Sequence, residues 1–545
     1  MAKRHNRSQN TSKQVKPPSD RSFEEAKTLT PSKPSEDIQK PRSLLATIAD
    51  IRTLRALQLV LLASLHAAVS QLNLSPVYGA VPASLYHRYG LTASFMLAFL
   101  LRGYLPPWTA LAITPFCFWI PVIQFGLFTF SSYMGNPLGP VITECLTCFP
   151  LVLLSVQLAM QCLDDVNAER TSSMGGDAFP SMGLFVLFTV LQRACKGFAA
   201  SFTGPGFLRS RIGMQLMIAS LTTEVLDNTL ALYNYTLLER KESVTGYISV
   251  LEDNQRGFRV MRCDHSLLGG EWKMSAQSNS KSRVGEPIYA IFTMLEAVRL
   301  VERSSPNRPR ALSIGLGVGT APSAMIAHGI NTTIIEVDPV VHEFALKYFG
   351  LPHNHTCDID DAVAAVANRS SFETNSYDYI IHDVFTGGAE PVELFTEEFL
   401  IGLRTLLRPD GVVAINYAGD ISMPASSIIY RTITSVFPSC RVFREDEAPA
   451  AGVKPDDFTN MVFFCRKSDS PINFRRPVEA DFLGSNARRE YMLPTHEISP
   501  SSFDASVDVL RSGKTKQLEK WQAQSAIGHW RVMRTVLPAA VWNNW

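Results

Sequence analysis

The sequence predicts two architectures in series. An α-helical membrane domain comes first, and an α/β domain follows, built on a seven-stranded, Rossmann-like, doubly wound sheet with a small β unit on its N-terminal side. Three observations carry this. Apolar runs near the roughly 20 residues that a bilayer crossing needs crowd the stretch from 54 to 232. From 311 to 465, short apolar runs alternate with helix-like segments, the pattern of a sheet with crossover helices. Between the first two of those runs lies a glycine-spaced turn, Gly315, Gly317 and Gly319, and the second run ends on Glu336 and Asp338.

In chain order, residues 1–43 form a basic tail rich in Lys, Arg, Ser and Pro without apolar periodicity, a disordered segment. Residues 44–238 are the membrane domain, with four to six helices. The runs 54–74, 108–134, 141–163 and 179–202 are the firmest spans. Two others are weaker: 85–101 is short and carries His87 and Arg88, and 212–232 carries Glu224 and Asp227. The basic tail favours a cytosolic N-terminus, and an even number of spans returns the remaining chain to the cytosol. Glu144 and Lys196 fall inside apolar runs, where charges can mark a transport path.

Residues 239–303 hold the small β unit and a connecting helix: 247–251 and 257–261 alternate in polarity around a polar turn, and 286–302 is helical. The α/β domain occupies 304–475, with strands at 311–314, 332–337, 356–358, 377–383, 411–417, 440–444 and 460–465. Two strands close together at its end predict an antiparallel last strand. Residues 476–545 are a polar C-terminal extension with one helix near 513–527 and no evident chemistry.

Composition narrows the function. Hydrophobic residues make up 46% and charged residues 19%, so apolar residues are concentrated locally. A net charge of +1 gives no field for nucleic acid. The nine cysteines are scattered, several in apolar runs, which predicts reduced core thiols and no disulfide framework. Cys145-x-x-Cys148 has neither a second pair nor a nearby histidine, so no metal is expected. The glycine turn has a different logic: glycines let backbone approach a ligand, and an acid ending the next strand can hold both ribose hydroxyls. This is a nucleoside half-site. The seven-strand pattern favours adenosyl-methionine binding over a dinucleotide.

With these residues in hand, 244–467 resembles the spermidine/spermine synthase family, the polyamine aminopropyltransferases, in a membrane-attached variant. The resemblance lies in Ser243-Val244-Thr245-Gly246-Tyr247, the Ile314-Gly315-x-Gly317-x-Gly319 turn, Glu336-Val337-Asp338-Pro339, Asp361-Ala362 and Tyr377 to Asp383. It implies the class I S-adenosylmethionine-dependent methyltransferase fold and a sulfonium donor, either decarboxylated S-adenosylmethionine or S-adenosylmethionine. It also implies that Glu336 holds the ribose, that the 315–319 turn lies along the sulfonium tail, that Asp361 contacts the adenine amine, and that Asp383 is the acid at the reacting centre. Tyr289 and Glu390 are the expected acceptor contacts, with Glu286 and Glu393 as further carboxylates.

The departures bear on the donor. Val318 stands where the family has an aspartate that favours the decarboxylated donor, Thr386 where it has a second acid, and Ala290 and Ile291 follow Tyr289 in place of polar residues. Three readings follow: aminopropyl transfer to a polyamine or another small amine; methyl transfer from intact S-adenosylmethionine by a membrane-tethered enzyme; and a non-catalytic adenosyl-ligand sensor or transporter. The partners expected are the acceptor and a lipid bilayer.

Overall fold

The computed structural model describes residues 50–543 apart from 103, 105, 107, 169–177, 202–226, 274–283, 304–307, 385–390 and 449–456. The N-terminal helical region contains α1 (Ile51–Tyr78), α2 (His87–Leu100), α3 (Thr109–Phe128), α4 (Leu138–Leu146), α5 (Cys148–Ala168) and α6 (Ala178–Ser201). Among the described residues, three helical stretches are long and apolar enough to cross a membrane, Ile51–Tyr78, Leu111–Phe128 and Leu138–Val166, and Met182–Cys195 is a shorter apolar helix. The weaker candidate at 85–101 is the 14-residue α2. Most of the one at 212–232 lies outside the described residues.

The run expected as one span at 141–163 breaks at Thr147, between α4 and α5. Pro150 has no amide hydrogen to continue the earlier helix, and a first helical turn is where that loss is tolerated. Glu144, one of the charges that could mark a transport path, is 1% exposed, and one of its oxygens has three polar neighbours. Ser70 and Gln71 donate to its Oε1 at 3.2 and 3.1 Å, and His87 Nδ1 lies 2.6 Å away. Buried polar groups of this kind tie α1, α2 and α4 together instead of lining a path. The side chain of Lys196 lies outside the described residues.

The small β unit is an antiparallel sheet of five strands in sequential order: β1 (Tyr235–Glu242), β2 (Tyr247–Asp253), β3 (Phe258–Cys263), β4 (Ser266–Trp272) and β5 (Glu286–Pro287). It begins ahead of the boundary expected at 239. A short helix, α7 (Ala290–Leu295), leads into the large sheet.

That sheet contains β6 (Arg310–Ile314), β7 (Asn331–Glu336), β8 (Thr356–Ile359), β9 (Tyr377–His382), β10 (Leu407–Asp420), β11 (Ser439–Arg444), β12 (Phe458–Arg466) and β13 (His496–Ile498). Helices α8 (Thr320–Ala327), α9 (Pro339–Tyr348), α10 (Ala362–Arg369), α11 (Glu397–Leu406) and α12 (Pro424–Val436) alternate with the strands. The order is β13-β11-β12-β10-β9-β6-β7-β8, so the sheet has eight strands where seven were expected. The eighth, β13, pairs with β11 and comes from the C-terminal extension. Strands β6 to β10 pair in parallel, and β12 is antiparallel to both of its neighbours. The central strands bury both faces between two apolar clusters, as a parallel sheet covered by helices requires.

Two further expectations are corrected. Cys440 and Cys465 form a disulfide across β11 and β12, where antiparallel pairing sets them directly opposite. The other seven cysteines are free. The C-terminal extension, in turn, is a structural clamp. Its helices α13 (Lys516–Val536) and α14 (Ala539–Asn543) reach the helical region. Trp530 Nε1 and Arg534 Nη2 both donate to the Val77 carbonyl, at 2.9 and 3.1 Å. A cation there meets the negative end of the α1 dipole.

Candidate active site

The site is a cavity of about 680 Å3 at the carboxyl ends of β6, β7 and β9, roofed by Leu267 and Leu268 of the small sheet. Open α/β sheets place ligands at this edge, where loops leave the strands. Gly315 (φ 87°) and Gly317 (φ 55°) take backbone conformations that favour glycine, and close packing excludes a side chain at either. A Cβ at Gly315 would fall 2.2 Å from the Asp383 carbonyl oxygen, and one at Gly317 would fall 2.5 Å from that of Leu268. Gly319 starts helix α8 instead and does not line the cavity.

Glu336, the last residue of β7, lines the cavity. Its Oε2 accepts from the Leu316 amide at 3.0 Å and its Oε1 from that of Asp338 at 2.9 Å. Two of about four lone-pair positions are thereby used, leaving acceptors for a ribose diol. Burial pushes its carboxyl up to about 7. Asp338 is not available to a ligand in the same way. It caps α9 through the Val340 amide at 2.9 Å and takes the hydroxyls of Ser243 and Thr245, which docks the small sheet onto the large one. Asp361 lines the cavity and also caps α10, accepting from Ala364 at 3.2 Å.

Asp383 follows β9 on the cavity wall, its amide bonded to the Ile314 carbonyl at 2.9 Å. Removal from water pushes its carboxyl up to about 6, with a hydrogen bond from Asn416 opposing the rise. Asn416 Nδ2 donates to Asp383 Oδ1 at 2.9 Å, and Asn416 Oδ1 is buried without a partner among the described residues. Sequence reasoning missed Asn416. Its signal was a lone amide inside the apolar run Val412 to Ala418.

The other expected contacts divide. Tyr289 does not line the cavity: it precedes α7, its ring packs on Phe292, and Phe292 occupies the wall in its place. Glu286 is used elsewhere, accepting from the Ala487 amide at 2.6 Å. Glu393 lines the cavity. Glu390 and Thr386 lie outside the described residues. Val318 is 2% exposed and packs against Gly269 of the small sheet, where a Cβ would come within 2.7 Å of its Cγ2, and it borders a small adjoining pocket shared with Phe292 and Asp383. The glycine turn therefore presents no carboxylate. Among the described residues no cluster of ligands suits a metal.

Residues 294–444 match the spermine/spermidine synthase domain family. An N-terminal histidine N-methyltransferase from Emericella nidulans is 44% identical over 541 residues, covering 89% of this chain and 96% of that protein. This chain belongs to the same family as that enzyme. The family relationship spans both the helical region and the α/β domain. Likeness to the polyamine aminopropyltransferase of Vibrio vulnificus is narrower, at 32% identity over 145 residues, 26% of this chain and 48% of that protein. A probable spermidine synthase from Corynebacterium glutamicum is 17% identical, covering 50% of this chain and 95% of that one with a TM-score of 0.38.

Proposed function

We propose that this protein is a membrane-attached S-adenosylmethionine-dependent N-methyltransferase whose acceptor is the N-terminal histidine of a polypeptide. The observation that carries methyl over aminopropyl transfer is Val318, buried on Gly269 where an aminopropyltransferase needs an acid. With no carboxylate on the turn, nothing there repels the carboxylate of the intact donor, and nothing attracts a decarboxylated amine tail. The Emericella nidulans relative supports the acceptor class.

The cavity fits such a donor. Its volume is that of a small-molecule site, and Glu336 retains unused acceptor positions on a carboxylate fixed by two amides. A bound donor supplies a methyl group on a positively charged sulfur, which leaves as a neutral thioether. The chain's own residues serve the acceptor. The attacking imidazole nitrogen is the one with a lone pair and no hydrogen, so its bond to the methyl carbon forms as the thioether leaves, and the resulting methylimidazolium then gives up the proton of its other ring nitrogen. Asp383, held near 6, is matched to receive a proton from an imidazole, whose ordinary pKa is about 6.5. Asn416 fixes that carboxylate by one oxygen, which holds it in place to receive the proton.

The test is mass spectrometry of the full-length protein incubated with a histidine-first peptide and either donor. The expected result is one added methyl from S-adenosylmethionine, confined to the first residue. An added aminopropyl group, or melting that responds only to the decarboxylated donor, would overturn the reading.

The three long apolar stretches support attachment to a membrane. The Cys440–Cys465 bridge supports an oxidising compartment for the α/β domain, against the cytosolic placement expected from the basic tail. Alkylation of the protein purified without reductant should spare these two thiols. Labelling of both before reduction would restore the cytosolic placement.

A further inference from the structure

A second cavity of about 190 Å3 lies at the carboxyl end of β10. Tyr417, Asp420 and Phe458 form its sheet side, Trp521 and Arg531 of α13 its outer wall, and Pro137 of the helical region also borders it. None of these residues lines the first cavity. We infer that this second cavity is a subsite for the acceptor polypeptide, taking the third to fifth residues behind the methylated terminus. The inference depends on the methyltransferase reading above and adds where the rest of the acceptor lies.

Three observations place it there. The first is register. Asn416, which holds Asp383, and Asp420, which ends the same strand, are an even number of residues apart and so share one face of β10. At roughly 3.3 Å per residue, Asp420 lies about 13 Å beyond Asn416, the span of about four extended acceptor residues.

The second is chemistry. Tyr417, Phe458 and Trp521 offer aromatic surface to an apolar or aromatic side chain, and Asp420 and Arg531 supply opposite charges beside it. Asp420 is held in place by its own turn, its Oδ1 accepting from the amide and hydroxyl of Ser422 at 2.9 and 2.7 Å. Aromatic anchors flanked by fixed polar groups are what a polypeptide subsite requires, since they bind side chains at low entropic cost.

The third is the origin of the wall. Phe458, Trp521 and Arg531 all lie outside residues 294–444, the part shared with the synthase domain family. The helix that carries Trp521 and Arg531 is fixed to α1 by Trp530 and Arg534, and Trp530 stacks on Tyr78 with ring centroids 6.3 Å apart. A small diamine has no use for a rigid wall so far from Asp383. A polypeptide has.

The experiment compares a histidine-first dipeptide amide with a histidine-first peptide long enough to reach the cavity, about six residues. Both are assayed with S-adenosylmethionine and full-length protein in detergent. The wild type should favour the longer peptide in kcat/KM by about tenfold. In Trp521→Ala that preference should collapse, through KM and not kcat. Asp420→Asn should weaken it severalfold and provides the readout if Trp521→Ala does not retain donor-dependent melting. A photoreactive side chain at the fourth peptide position should label the segment 516–536.

Equal kcat/KM for the two peptides in the wild type, a loss that falls equally on both peptides in the variants, or labelling confined to other segments would overturn the subsite while leaving methyl transfer intact. If neither peptide is methylated, the methyltransferase reading fails and the subsite fails with it.

Discussion

The two halves of the cavity are built in opposite ways. The side proposed for the donor comes from one continuous stretch, β6, the glycine turn, α8 and β7, and Glu336 within it is held by backbone bonds. The side proposed for the acceptor is assembled from segments far apart in the chain: Asp383 after β9, Glu393 before α11 and, holding Asp383 from behind, Asn416 within β10. A continuous half-site preserves a ligand class, because its geometry is local. A dispersed one can change its acceptor through substitutions in any of several elements. On the proposed reading, this lets one donor site serve a different acceptor, and each side should fail in its own way when altered.

The largest expected effect is on the acceptor side. Asp383→Asn keeps the shape and the bond to residue 416 but removes the base, so turnover should fall by about 10²–10⁴, the usual contribution of a positioned proton acceptor. Donor affinity, followed by melting with S-adenosylmethionine or its homocysteine product, should stay near that of the wild type. In the wild type the base works only when ionised, so kcat/KM should fall as pH drops through about 6. A flat profile between pH 5 and 7 would remove Asp383 from that role.

Glu336→Ala should do the reverse. Charge-assisted hydrogen bonds are worth about 1.5–3 kcal/mol each, so donor affinity should weaken by about tenfold or more. Turnover at saturating donor should fall much less than in Asp383→Asn. Calorimetric titration separates the two variants, and equal donor affinity in wild type and Glu336→Ala would take Glu336 out of the site.

The same contrast explains what could be read from sequence. Gly315, Gly317 and Glu336 were legible because short-range spacing encodes a strand, a tight turn and an acid at the next strand's end. The alternation of strands and helices was legible for the same reason. The pairing of Asn416 with Asp383, 33 residues apart, was not, because it depends on β10 lying beside β9. The Cys440–Cys465 bridge was hidden likewise, since only antiparallel register brings those thiols together. Tyr289 was misplaced for a complementary reason. Its neighbourhood in sequence resembled an acceptor contact, but the start of α7 turns its ring toward Phe292 and leaves Phe292 on the cavity wall. The C-terminal extension looked inert because its polar helix shows its role only where Trp530 and Arg534 meet Val77.

Asn416→Leu tests the link within the acceptor half. The amide hydrogen bond favours the ionised form of Asp383, so its loss should raise the Asp383 pKa further. The acid limb of the rate profile should move to higher pH, and kcat at pH 7 should drop by about tenfold. Asn416→Asp is a sharper variant, because a second carboxylate beside the first disfavours ionisation of the pair. If the midpoint does not move in either variant, the hydrogen bond does not tune the base.

The smallest effect concerns stability, and its sign distinguishes a poised base from a structural carboxylate. A carboxylate that holds a fold together has a lowered pKa and stabilises at neutral pH. Asp383 and Glu336 are raised, so the folded state binds their protons more tightly than the unfolded chain does. Their contribution is present in full below the ordinary carboxylate range and is lost as pH rises through about 6 and about 7, respectively. Without donor, Asp383→Asn should therefore melt like the wild type near pH 4 and be more stable than it at pH 8. The difference should be about 1–2 kcal/mol, below the full linkage value because the cavity admits water. A variant less stable than the wild type at pH 8 would mean that the Asp383 charge supports the fold, which is the opposite of what a base held ready for a substrate proton requires.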